Sequence, residues 1–127
     1  MRGRIMQVEH AGDQGDFWGR QEGFEGHSGE FALLQSRVSE GYYMLFIGDE
    51  PVVLNGQRRE DYLRTTPGKV TLEGKTLRLT TGNTRYTIQL YSEPPLELQL
   101  AEARCRLAEL KGEAAPKKDP GLTALLP

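Results

Sequence analysis

The sequence contains few of the residues that carry redox, metal or nucleophilic chemistry. Its single cysteine, Cys105, excludes an intramolecular disulfide and a multi-cysteine zinc site, and it fits a reducing compartment. The two histidines, His10 and His27, do not have the spacing of a metal site, which needs three or four converging ligands. Ser28 follows His27, and neighbouring side chains on a strand point to opposite faces, so the two cannot form a catalytic dyad. We therefore expect no enzymatic activity, no metal and no cofactor.

Long apolar runs are also absent. The longest, YYMLFI, is far shorter than the roughly 18 residues of a membrane span, and the first ten residues lack the apolar segment of a signal peptide. We expect a soluble, cytoplasmic protein without membrane contact, and a phage or other viral origin would be compatible with these features. Hydrophobic residues make up 37% and charged residues 27% of the chain, which favours a small β structure with a polar, solvent-exposed surface.

The clearest structural signal is an alternating apolar and polar pattern in residues 69–91, KVTLEGKTLRLTTGNTRYTIQLY. The pattern is interrupted at Gly74-Lys75 and at Gly82-Asn83, which predicts a three-stranded antiparallel meander. The two turns independently place the same apolar side chains on one face, which we assign to the core. These residues are Val70, Leu72, Leu77, Leu79, Tyr86, Ile88 and Leu90.

The residues upstream of the meander predict further strands. EFALLQSRV, GYYMLFIG and DEPVVLNGQ each read as a strand, RIMQVEHA and DFWGRQE are weaker strand candidates, and RREDYLRTTPG reads as a helical turn or an irregular loop. The fold class is therefore mainly β (α+β). We expect a small antiparallel β-barrel or two-sheet sandwich of about seven strands over residues 1–93.

A glycine-rich segment, residues 13–30, could be taken for a ligand-binding loop. Gly23, Gly26 and Gly29 are surrounded by acidic residues, which disfavours phosphate. The acidic residues could ligate calcium, but their spacing does not match a calcium loop. They are Asp13, Asp16, Glu22, Glu25 and Glu30. We expect ordinary turns here, with Trp18 and one phenylalanine in the core.

Residues 95–111 predict an amphipathic helix. Pro94 and Pro95 are tolerated in a first turn, whereas Gly112 and Pro116 end the helix. One apolar stripe has the 4, 3, 4, 3 spacing of a heptad seam, and other apolar residues widen it. The seam is Leu96, Leu100, Ala103, Leu107 and Leu110, and the widening residues are Leu98, Ala101, Cys105 and Ala108. Either residues 94–112 pack this stripe on the β domain, or the helix pairs with another chain.

The last segment, residues 113–127, changes composition. EAAPKKDP is typical of a linker, and it is followed by Leu122, Leu125 and Leu126 at i, i+3, i+4 spacing. Such leucines at the end of a polar linker indicate a segment that docks in a groove, in the same chain or in a partner.

Two functions follow from these patterns. The first is a non-enzymatic protein–protein interaction module, an adaptor, regulator or small subunit of an assembly, which could also self-associate through its helix. Its expected partner-binding residues are Leu122, Leu125, Leu126, Leu100 and Leu107. The alternative is a nucleic-acid-binding β module with an arginine-rich sheet face, which the pI of about 5.7 and the threonine-rich outer face disfavour. Its contact residues would be Arg58, Arg59, Arg64, Arg78 and Arg85.

Overall fold

The protein is mainly β, with one helix at the carboxyl-terminal end of the described chain, which confirms the predicted fold class. The structure, a computed structural model, describes residues 1–10, 21–54 and 58–112. The strands are β1 (Arg2–His10), β2 (Ser28–Gln35), β3 (Tyr42–Leu54), β4 (Arg58–Arg64), β5 (Gly68–Glu73), β6 (Thr76–Thr81) and β7 (Thr84–Leu90). The helix is α1 (Leu96–Leu110), and a 3-10 turn, Glu22–Phe24, precedes β2.

All seven strands belong to one antiparallel sheet with the order β2-β1-β7-β6-β5-β3-β4. An additional pairing of β2 with β3 joins distant positions of that order, so six strands form a barrel-like ring and β4 lies outside it. The core inside the ring includes Ile5, Phe46, Leu77 and Ile88, none of which is exposed to solvent. One sheet curved into a barrel-like ring, rather than two packed sheets, therefore surrounds the core.

The meander has the predicted register. Val70 lies opposite Leu79 and Leu72 opposite Leu77 between β5 and β6. Between β6 and β7, Leu79 lies opposite Tyr86. The predicted core residues are buried, apart from Leu72, which is half-buried. Because the side-chain period of a strand is two, the two turns were sufficient to orient all three strands.

The segment between β2 and β5 differs from its prediction in two ways. Residues 42–54, expected as two strands, form the single 13-residue strand β3, which has a register shift between Ile47 and Val52. The segment expected as a helical turn or loop forms strand β4, whose Leu63 lies opposite Phe46 and is buried. Pairing with β3 stabilises β4 although its sequence, RREDYLR, lacks an alternating pattern.

The glycine-rich segment is only partly described. Glu22, expected in a strand, lies in the 3-10 turn, and Phe24 in the same turn is buried in the core, as expected of one phenylalanine. Strand β2 begins at Ser28, so Gly29 lies within a strand rather than in a turn. The expected core role of Trp18 lies outside the described residues.

Helix α1 covers an edge of β5. Strand β5 pairs with β3 only at Gly68, among the described residues, so the remainder of that edge has no strand beside it. There the Val70 N–H donates a hydrogen bond to Cys105 Sγ at 3.3 Å. The helix ends at Leu110, and Gly112, predicted to stop it, follows two residues later with a left-handed φ of 79°. At 15 residues α1 is too short and too polar to cross a membrane, and the described chain has no other α-helix.

Candidate functional site

Helix α1 has two apolar faces, and the sheet buries the one with the smaller side chains. Leu98, Ala101, Cys105 and Ala108 are each no more than 3% exposed. Alanine and cysteine are short, so they let the helix backbone approach the sheet closely. Lys69 in β5 forms an ion pair with Glu109. These contacts determine which side of the helix faces the core.

The other face, opposite to the buried one, carries the predicted heptad seam. We call Leu96, Leu100, Ala103, Leu107 and Leu110 the outer leucine stripe. Its leucines are 69%, 47%, 55% and 79% exposed in chain order, and Ala103 is also exposed. The expectation that this stripe packs on the β domain is therefore wrong. The helix does pack there, but through the residues that were expected only to widen the stripe.

The polar residues beside the stripe differ in charge along the helix. Glu97 and Arg104 lie on one flank of the stripe, one heptad apart, with Glu97 near the amino end of the helix. Arg106 lies on the other flank and forms an i,i+4 ion pair with Glu102. Arg104 donates a hydrogen bond to Tyr42 Oη at 3.3 Å, which links the helix to β3. The stripe is thus an apolar surface with a partly acidic amino-terminal half and a more basic carboxyl-terminal half.

A second exposed apolar area lies on the outer face of β2, β3 and β4. Leu34 is 41% exposed, and the cross-strand pair Ile47 and Tyr62 is about half exposed. Beside this area is an open cleft of about 510 Å³ whose lining includes Val38, Tyr43, Arg64 and Thr65. The Arg64 guanidinium carbon lies 5.0 Å from the centroid of the Tyr43 ring, a cation–π distance. The sequence analysis did not identify this area, because β4 was not expected to be a strand.

The basic residues of the meander lie beside acidic ones. Arg78 lies 3.7 Å from a carboxylate oxygen of Glu73, and Arg85 lies 3.9 Å from one of Glu9. Lys75 pairs in the same way with Glu93 at 3.8 Å. A nearby carboxylate weakens the positive potential that a phosphate backbone would meet.

The five predicted nucleic-acid residues do not form one surface by position. Arg78 and Arg85 lie on neighbouring strands β6 and β7, whereas Arg64 lies on β4, which is separated from β6 by β5 and β3 in the strand order. Arg58 and Arg59 also belong to β4, but their side chains lie outside the described residues. Of the three arginines whose side chains the structure describes, it therefore brings Arg78 and Arg85 together.

The potentially reactive side chains have structural contacts. Ser28 Oγ hydrogen-bonds to Tyr91 Oη, and burial raises the pKa of the Cys105 thiol, which disfavours its reactive thiolate. Across residues 1–10, 21–54 and 58–112, no group of three or more His, Cys, Asp and Glu side chains could hold a metal ion.

Of the predicted partner-binding residues, Leu100 and Leu107 lie exposed on the same side of α1, one heptad apart. Leu122, Leu125 and Leu126 lie outside the described residues. The sequence identified the seam but did not show that it faces solvent. One signal pointed that way, since the widening set is made mainly of small residues and small residues suit close packing against a sheet.

We compared the chain with protein-family models, with curated proteins and with solved structures, and none of the three comparisons found a match.

Proposed function

We propose that the protein is a non-enzymatic protein–protein interaction module that docks through helix α1. The observation that carries this proposal is the outer leucine stripe: four leucines and one alanine at heptad spacing face solvent on a helix whose opposite face is already buried. Heptad spacing is the pattern by which one helix packs along another. The stripe therefore has the form of half an interface.

The energetics favour a covered stripe. Burying a leucine side chain contributes roughly 1.5–3 kcal/mol relative to leaving it in water. Scattered exposed leucines are common and need no explanation, but a continuous row along a helix marks an interaction surface. Leu100 and Leu107 lie in the middle of the row, and we propose them as its central contacts.

The leucine-ended tail is a second element of this proposal. Leu122, Leu125 and Leu126 follow α1 after a polar linker and have the spacing of helical docking anchors. A helix and a tail that bind the same partner would act together, since the linker holds the second contact at a high effective concentration. Such a module would serve as an adaptor, regulator or assembly subunit, and we propose that it works in the cytoplasm, which its single cysteine supports.

Nucleic-acid binding is the second candidate function. Its support is the pair Arg78 and Arg85 on the outer face of neighbouring strands, together with the basic balance of residues 57–91, which contain seven Lys and Arg and three acidic residues. The carboxylates beside both arginines count against it, and so does the overall charge of −2.

The two functions can be separated by affinity capture from native lysate with the full chain, washed at low and at high salt. The test variants are Leu100→Glu/Leu107→Glu and Leu122→Ser/Leu125→Ser/Leu126→Ser. The matched control is Leu34→Glu, an exposed leucine on the sheet. We expect the wild type and the control to retain a partner protein at both salt concentrations. The stripe variant Leu100→Glu/Leu107→Glu should not retain it.

Two results would contradict this proposal. One is retention of every partner by the stripe and tail variants. The other is recovery of nucleic acid that is lost at high salt and lost with Arg78→Glu/Arg85→Glu, which would establish the alternative.

A further inference from the structure

We infer that the outer leucine stripe pairs with the same stripe of a second copy of this chain, in antiparallel orientation. The inference rests on the proposed function and names one partner for the proposed surface. It follows from the spacing of the stripe, from the charges on its flanks and from its position relative to the sheet.

The spacing is compatible with an antiparallel arrangement that packs well. Leu96, Ala103 and Leu110 occupy one seam position of the heptad, and Leu100 and Leu107 occupy the other. Antiparallel helices place one kind of seam position opposite the other kind. A twofold axis between residues 101 and 102 then puts Leu96 opposite Leu107 of the second copy, and Leu100 opposite Ala103. The twofold axis repeats both pairs, so the interface has four layers. In each layer a leucine faces either a leucine or an alanine, and no layer contains two alanines.

The flanking charges favour the same arrangement. In this register Glu97 lies beside Arg104 of the second copy, and the twofold axis repeats the pair. The other flank places Gln99 beside Arg106, which involves no repulsion. A guanidinium has five N–H donors, so the bond from Arg104 to Tyr42 is compatible with a contact to a carboxylate.

The competing arrangements are less favourable. A parallel pair would bring Arg106 close to Lys111 of the second copy, which places two positive charges together. Shifting the antiparallel register by one heptad would place Arg104 beside Arg104 and Arg106 beside Arg106. Like charges at these flanking positions select against a pairing. The axis between residues 101 and 102 is therefore the arrangement without like-charge contacts.

The fold leaves room for the second copy. The stripe lies opposite the buried residues Leu98 and Cys105, so the sheet is on the far side of the helix. Two chains paired through their stripes would have both helices in the middle and one barrel-like ring on each outer side. Because the sheet already anchors each helix, pairing does not have to supply the free energy of helix formation.

The expected affinity is moderate. The contact between two 15-residue helices is smaller than a standard interface of about 1,600 Å², so we expect a Kd on the order of 10–100 µM. The experiment is sedimentation equilibrium of the full chain between about 5 and about 500 µM, which brackets that Kd. Leu100→Glu/Leu107→Glu should be monomeric throughout, while Leu34→Glu should dimerise like the wild type.

Charge reversal tests the orientation. Glu97→Arg should weaken the dimer roughly tenfold at low salt, because it creates two like-charge contacts. Glu97→Arg/Arg104→Glu should restore the wild-type affinity, since the exchanged pair is again attractive. Urea unfolding of each variant checks that the fold is intact. We expect this because the side chains of Leu100, Leu107, Glu97 and Arg104 are exposed, although Arg104→Glu also removes the hydrogen bond to Tyr42.

The possible failures are distinguishable from failure of the proposed function. A wild type that stays monomeric at about 500 µM overturns self-pairing. The proposed function still stands in that case if Leu100→Glu/Leu107→Glu loses a protein that the wild type captures from lysate. A dimer that survives Leu100→Glu/Leu107→Glu, or that Leu34→Glu abolishes, overturns the inference because another surface pairs. A dimer insensitive to both charge variants overturns the antiparallel register.

Discussion

Cys105 shows how one side chain can link the helix to the sheet. It is 1% exposed, and its sulfur accepts a hydrogen bond from the Val70 N–H on the strand edge that α1 covers. Burial raises the pKa of its thiol above the usual value. The native environment therefore favours the neutral thiol over the thiolate.

The raised pKa predicts a pH dependence of stability. A folded-state pKa above the unfolded value stabilises the protein fully at pH values below the unfolded pKa of about 8.5, and this contribution is lost as the pH rises toward the folded pKa. We expect urea unfolding free energies to fall more steeply above about pH 8.5 for the wild type than for Cys105→Ala. Equal slopes for the two proteins would contradict this prediction.

Gly68 illustrates a position where the backbone leaves no room for a side chain. A β-carbon at this residue would lie 2.2 Å from the Thr80 carbonyl oxygen and 2.7 Å from the Thr80 carbonyl carbon. Both atoms belong to the backbone of β6, so neither can move aside as a flexible side chain can. Gly68 is also where β5 meets β3, at Tyr42.

We therefore expect Gly68→Ala to destabilise the protein by roughly 3 kcal/mol, the cost of forcing strands apart in a packed sheet. Gly82→Ala is the matched control, because a β-carbon there has no atom within 4 Å and its φ is not left-handed. It should change the unfolding free energy by less than about 0.5 kcal/mol in urea titrations. Equal effects of the two substitutions would be evidence against the tight approach at Gly68.

The two apolar faces of α1 have different roles. The face containing Leu98 stabilises the fold, and the face containing Leu100 is available for binding, although the two residues differ by only two positions in sequence. Leu98→Ala should cost roughly 2–4 kcal/mol because it leaves a cavity. Leu100→Ala should cost less than about 0.5 kcal/mol in the monomer.

This pair of variants is measured by urea unfolding at a protein concentration well below the expected Kd, so that pairing does not add to stability. A large loss with Leu100→Ala under those conditions would show that the stripe is buried in the monomer. The element would then have the orientation that its sequence first suggested.

The described part of the molecule combines a barrel-like ring with one strand outside it. Strand β6 has β5 and β7 as neighbours, whereas β4 pairs with β3 alone within the described residues. Two reciprocal hydrogen bonds join β3 to Thr65, the residue that follows β4. Met44 N–H donates to Thr65 Oγ1, and Thr65 N–H donates to the Met44 carbonyl, both at 2.9 Å. The edge of β4 that faces away from β3 has no pairing strand among the described residues.

We expect hydrogen exchange to distinguish these strands. Amides of β6 should exchange only when the ring opens, and amides of β4 that point away from β3 should exchange at least about tenfold faster. Exchange measured by NMR or mass spectrometry on the purified full chain tests this. Equal protection of both strands would indicate that another segment or a second copy covers the β4 edge.

The elements whose signals are local could be predicted from the amino-acid sequence. The meander of residues 69–91 followed from an alternating pattern and two turns, and the limits of α1 followed from Pro95 and Gly112, because proline and glycine act on the backbone where they stand. The heptad seam could also be predicted, since it depends only on the spacing of apolar residues.

Features that depend on residues distant in sequence became visible in the folded protein. Strand β4 exists because β3 pairs with it, and β3 extends over 13 residues because β2 pairs with its first half and β4 with both halves. The helix has apolar residues on both sides, so its sequence could not show which side meets the sheet. The open edge of β5 accepts a narrow face of Ala and Cys, and that shape leaves the leucines of α1 facing water.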